Sequence, residues 1–210
     1  MRFVAIVVTG IIALPTLSAA HQAPTIPELV DRRRPDPVEI VRITEVLPPS
    51  LDDLVRSSTL VVRGTLRRLR TYLSEDQTTL LTDYEVLPRQ WVARSGPAPT
   101  IKSPGTMRVI FTQWGGETTI NGVEVVVAEL SLRPFVDGSE VILFLREQGA
   151  TGKFELVHDF AAAFDVTSNR VQPQLASPEQ NHLARLRPDE FVAAIQKAAT
   201  ASPGPNRQVR

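Results

Sequence analysis

The chain has 210 residues, 23 of them basic and 23 acidic, with 17 prolines, three histidines and no cysteine. A chain so balanced in charge has no electrostatic footprint for nucleic acid or for an anionic membrane surface. Without cysteine it can form neither a disulfide nor a cysteine-linked lipid anchor, so a packed core has to hold it together.

Arg2 is followed by an apolar run, Phe3 to Leu17, and then by Ser18-Ala19-Ala20. This is the layout of a secretory signal peptide, with cleavage expected between Ala20 and His21. The run is shorter than the roughly 20 apolar residues of a spanning helix. The alternative is an uncleaved N-terminal anchor. Cleavage removes one Arg and no acid, leaving 22 basic against 23 acidic residues. The expected location is the periplasm or the medium of a bacterium, with no membrane association after cleavage.

Residues 21–50 read as a Pro-rich arm. Pro24, Pro27, Pro35, Pro37, Pro48 and Pro49 argue against regular helix and central strand. Arg32-Arg33-Arg34 reads as a solvated linker or as a contact for an acidic surface. Val38–Val46 alternates enough to add an edge strand.

Residues 51–176 read as a β-barrel domain. Ser50–Ser57 opens it with a short helix capped by Ser50, with Asp52 and Asp53 in the first turn. Thr59–Arg70 is a first strand, with Gly64 on its inward face where a small barrel bends sharply. Thr78–Leu87 is a second, ended by Pro88, with Asp83 and Glu85 on its solvent face. A Ser-, Gly- and Pro-rich loop, Arg94–Gly105, leads to a third at Thr106–Thr112. Asn121-Gly122 is a strong signal for a type I′ hairpin turn into Val123–Leu130. Asp137-Gly138 turns the chain into Ser139–Arg146, whose five consecutive apolar residues Val141–Leu145 mark a strand buried on both faces. Lys153–His158 and Ala161–Val166 complete the β region after a turn at Gly149–Gly152. Residues 177–200 read as a helical cap. Ser177-Pro178-Glu179-Gln180 opens one helix and Pro188–Thr200 a second, whose Phe191, Val192, Ile195 and Ala199 share a face. Residues 201–210 read as a disordered tail.

The expected fold is therefore mainly β: a small barrel with a short N-terminal helix and two C-terminal helices. The stretches LDDLVRSSTLVVRGTL, LLTDYEVLPRQW, MRVIFTQWGGE and LRPFVDGSEVILFLRE resemble a group of uncharacterised exported bacterial proteins. The resemblance covers about Leu51 to Val166. More distantly the pattern is similar to the barrels of netrin modules and tissue inhibitors of metalloproteinases. The resemblance implies an OB-like barrel, closed or partly open. It does not carry the inhibitors' zinc-binding mechanism, which uses an N-terminal cysteine.

His21, His158 and His182 lack the spacing of a zinc helix, and no nucleophile elbow or phosphate-cradling loop is present. No metal, cofactor or catalytic residue is expected. His158-Asp159 is the best catalytic candidate, an imidazole with an adjacent acid to orient it. The competing reading is a solvated strand-end histidine, because no nucleophile stands near it in sequence. Asp83, Glu85, Glu117 and Asp137 offer carboxylates that sequence cannot bring to a chosen separation.

Trp114-Gly115-Gly116-Glu117 is the best binding candidate: an aromatic beside flexible glycines, able to face a peptide or glycan. The competing reading folds Trp114 back to plug the barrel end, and Trp91 invites the same reading. The expected role is that of an exported, non-enzymatic protein binding an envelope or extracellular protein or glycan. An inhibitor or accessory partner of a secreted enzyme is the runner-up. A hydrolase using His158 is third.

Overall fold

The computed structural model describes residues 6–7, 23–43, 48–94, 108–130, 132–148, 153–175, 177 and 180–201. The expected cleavage site at Ala20 and His21, the turn at 149–152, the tail at 202–210 and nearly all of the loop after Arg94 lie outside them. In chain order the elements are β1 (Ile6–Val7), α1 (Ile26–Arg33), β2 (Val38–Arg42), α2 (Leu51–Ser57), β3 (Leu60–Leu73), β4 (Leu80–Arg94), β5 (Val109–Trp114), β6 (Gly116–Ile120), β7 (Val123–Glu129), β8 (Glu140–Glu147), β9 (Phe154–Leu156), β10 (Ala163–Thr167), β11 (Arg170–Pro173) and α3 (Pro188–Ala201). The chain divides into two units. The first holds Met1–Glu45, Arg70–Thr82 and Gln113–Ser131; the second holds Val46–Leu69, Asp83–Thr112 and Leu132–Arg210.

The second unit is a closed five-stranded barrel with helical caps. Its strands follow the closed order β3-β4-β5-β9-β8-β3, with β5 and β9 parallel at Phe111 and Phe154. The closed barrel agrees with the mainly β fold expected from the sequence. β8 pairs antiparallel with both β3 and β9, and β10 and β11 extend the sheet beyond it. Val141 to Leu145 are all buried because β8 has barrel core on one side and the capping elements on the other. There Phe144, Phe164 of β10 and Phe191 of α3 meet with ring centroids 4.8–6.2 Å apart. A Cβ at Gly64 would stand 2.4 Å from the Leu87 carbonyl oxygen and 2.7 Å from Val86 Cγ1, so only glycine lets β3 and β4 come this close.

In the first unit the sheet order is β1-β2-β7-β6. β2 runs parallel to β7, and β7 turns back antiparallel on β6 through Asn121 and Gly122. Their φ angles of 51° and 80° are the left-handed pair of a type I′ turn. Val123, Val125 and Val127 of β7 and Val38 and Ile40 of β2 are buried with Ile26 and Val30 of α1.

Several expectations are corrected. The arm at 21–50 contains α1 despite its prolines. Pro27 sits in the first turn, where no N–H is needed, and Thr25 and Glu28 close a capping box (Thr25 N–H to Glu28 Oε2, 2.9 Å). β2 is not an edge strand; it lies between β1 and β7. Arg32 and Arg33 end α1, and Arg34 donates to the Asn121 carbonyl at 2.9 Å, so the cluster is not a plain linker. β6 and β7 belong to the first unit's sheet, not the barrel. Pro88 does not end β4, which continues to Arg94; proline removes one donor, and the residues on either side stay in the strand. The segment from Ser177 makes 3-10 turns and no α-helix among its described residues, at Gln180 and at Leu183–Arg185, although Ser177 Oγ accepts from the Gln180 N–H as a cap would. Trp91 packs partly buried against the barrel core.

Candidate functional site

Trp114 ends β5, Gly115 is a one-residue joint, and β6 starts at Gly116. The glycines are not a flexible loop. Gly115 (φ +94°) donates its N–H to the Leu80 carbonyl at 2.7 Å, and its own carbonyl accepts from Thr82 Oγ1 at 2.6 Å. A Cβ on Gly116 (φ +128°) would lie 2.3 Å from that same Thr82 oxygen. Both residues must be glycine for this turn to be tight as well as left-handed. The joint thus fixes Trp114 rather than letting it swing.

The ring of Trp114 is half-buried, so it is neither a fully exposed platform nor a buried plug. The Arg42 guanidinium lies over it, 5.4 Å from the ring centroid, and Arg42 Nη2 donates to the Thr78 carbonyl at 3.3 Å. Glu117 is exposed on β6. Its register partner is Val126, which in turn pairs with Glu39, so two acids flank an aliphatic residue on the sheet face opposite α1. Of the two side chains singled out from sequence, Glu117 is exposed and Trp114 is half-buried. The sequence could not show Arg42, which is 72 positions before Trp114 and carries no motif.

The structure supplies what the sequence lacked beside His158. Ser57 Oγ stands 3.2 Å from His158 Nε2, although the two are 101 residues apart. His158 and Asp159 both hold φ of 51°, a left-handed conformation that, outside glycine, asparagine, aspartate and histidine adopt most readily. Ser57 is the last residue of α2, however, where the helix presents carbonyl oxygens. That end opposes the negative charge an acyl-transfer intermediate would develop. The geometry is that of a tether between α2 and the chain after β9. Nearby, the Ser50 hydroxyl, with help from Arg56, holds the Asp53 carboxyl below the usual range.

The four acids are dispersed. Asp83 and Glu85, expected on a solvent face, are 8% and 1% exposed. Both faces of β4 are covered there, so strand alternation does not separate inside from outside. Thr112 Oγ1 donates to Asp83 at 2.7 Å, and Arg108 Nε lies 3.3 Å from Glu85. Asp137 accepts from the Arg68 N–H at 2.7 Å, which fixes the turn before β8. Glu117 is in the other unit.

Two further polar groups carry no sequence signal. Arg63 donates to Glu140 at 2.8 Å and to Asp189 at 2.9 Å, joining β3, β8 and α3. Burial alone would lower this guanidinium's pKa, and the two carboxylate bonds more than offset it. Asp165 of β10 accepts from Gln174 Nε2 at 2.7 Å, while burial pushes its carboxyl above the ordinary range. Among the described residues, no group of three or more His, Asp or Glu is placed to hold a metal ion. No helix among them is long and apolar enough to cross a membrane. Scanned against known protein families and against curated proteins, the chain matches none.

Proposed function

We propose that this is an exported, non-enzymatic protein that binds a protein or other macromolecule in the bacterial envelope through the outward surface of its first unit, around Trp114 and Glu117. The observation that carries the reading is the Arg42–Trp114 pair beside the pinned Gly115-Gly116 joint. Arg and Trp are the side chains that most often dominate binding energy at interfaces. Arg42 is held by its bond to the Thr78 carbonyl and the backbone beside Trp114 by the bonds of Gly115, so the pair loses little freedom when a partner docks. The apolar run from Phe3 to Leu17 with Ser18-Ala19-Ala20 behind it supports export.

The test is affinity capture from envelope extract with the tagged full chain beside a Trp114→Ala, Glu117→Ala double variant of matched melting temperature. A component retained by the wild type and released by the variant is the expected result. A component held equally by both moves the site away from Trp114, and no retained component overturns the reading.

A further inference from the structure

We infer that the outer edge of β2 is an acceptor for an extended apolar peptide, which adds as a parallel strand, and that Ile6–Val7 occupies this edge in the unprocessed chain. The inference concerns a second binding surface, at the opposite edge of the sheet from Glu117 on β6, and it rests on the export proposed above, because processing is what frees this edge.

β1 is two residues long and pairs parallel with Ile40 and Val41 of β2. On its other side β2 is paired with β7 from Val38 to Arg42. Without β1, β2 would be the end of the sheet, with its outward N–H and C=O groups open to any extended chain. Strand edges are ordinarily protected by charge, proline, a bulge or a covering element. Here the covering element comes from the apolar run that carries the expected cleavage signal, so processing at Ala20 would take the cover away. The uncovered strand would remain a fixed template, because Val38 and Ile40 on its inner face are 3% and 7% exposed and packed with α1.

The chemistry beside the edge fits an apolar guest. Just past β2, Ile43 is 57% exposed. A peptide with the direction of β1 runs its C-terminal half toward this side chain. Main-chain pairing would supply affinity, and Ile43 would select an aliphatic residue in that half. The occupant is thus a short β-branched segment resembling the chain's own Phe3-Val4-Ala5-Ile6-Val7-Val8.

The test uses the full chain with Ile6→Pro and Val7→Pro, which removes whichever of the two alternating N–H groups faces β2. The probe is a labelled synthetic peptide with the sequence of residues 3–9 and a solubilising lysine tail, followed by fluorescence anisotropy. Expected is binding to the variant at least about tenfold tighter than to the unmodified chain. The same peptide N-methylated at the positions of Ile6 and Val7 keeps its side chains but loses the donor that faces β2, and should bind at least about tenfold more weakly. Hydrogen exchange should slow at residues 38–42 on binding. In the proline background, Ile43→Glu should weaken the peptide several-fold without changing the melting temperature. Equal binding to both chains, or equal binding of the N-methylated peptide, overturns the inference and leaves only apolar adhesion. The capture experiment reads Trp114 and Glu117, the peptide titration reads the β2 edge, and either can fail without the other.

Discussion

β8 and β7 are interior strands of the two units, and they bury in opposite ways. In β8, Val141 to Leu145 are all inside. In β7, Val123, Val125 and Val127 are inside while Glu124 is exposed and Val126 only partly covered. The difference follows from what stands on each face. The barrel's strand is covered on both sides, and the sheet's strand is covered by α1 on one side only. A surface for partners can therefore exist on the sheet's outer face, where Glu39, Val126 and Glu117 form a cross-strand row, but not along the middle of β8.

The sharpest way to break this contrast is Phe144→Ala. It should cost about 4 kcal/mol, read as a lowered urea midpoint, because the cavity opens beside Phe164 and Phe191, which cannot both collapse into it. Hydrogen exchange should accelerate in β3, β8 and β10. Gly64→Ala comes next, at about 3 kcal/mol, since its new Cβ meets the Leu87 backbone, which cannot move aside, as well as the Val86 side chain. Val125→Ala should cost about 2 kcal/mol and speed exchange in β2, β6 and β7. Exchange that accelerates equally throughout the chain would show that the two units open together. Thr25→Ala removes the α1 cap and should cost about 1 kcal/mol, with exchange changed at the start of that helix.

The smallest effect expected is one of pH. Asp165 has a carboxyl pKa raised mainly by burial, with the Gln174 bond and the Arg133 charge acting against the rise. The folded state therefore holds this proton more tightly than the unfolded chain. Its contribution to stability is complete in acid below the ordinary Asp value, and it is lost as pH rises through the raised folded value. Asp165→Asn should flatten that fall and raise stability at neutral pH, measured as urea midpoints from about pH 4 to about pH 7. Asparagine also brings a donor to a pair in which Asp165 Oδ1 and Gln174 Oε1 have no hydrogen-bond partner among the described residues. A steeper pH dependence in the variant would show that the carboxylate is stabilised, not strained, by its surroundings.

Local signals were legible. Ser50 with Asp52 and Asp53 marks α2, Asn121-Gly122 marks the β6–β7 turn, and the unbroken run Val141–Leu145 marks a fully covered strand. Proline count misled at α1, because proline in a first turn supports a helix that proline in its interior would break. The β10–β11 turn was missed, although Ser168 and Asn169 take φ of 51° and 58°, like Asn121 and Gly122. Serine is a weak marker for that conformation, and β11 is only four residues long. At the candidate site, Trp114 and Glu117 were visible as residue types, whereas the rigidity of the glycine joint was not.

What the amino-acid sequence by itself determined is the set of pieces whose energetics are settled within a few residues: caps, two-residue turns, the amphipathic α3, and a mainly β chain that leads into a barrel. The tertiary structure decided which strands pair, and so placed β6 and β7 in a sheet apart from the barrel. It also buried Asp83 and Glu85, laid Arg42 over Trp114 and brought Ser57 to His158. Those outcomes depend on contacts between residues tens of positions apart. Their free energies arise from burial and hydrogen bonding that no local window of the chain contains.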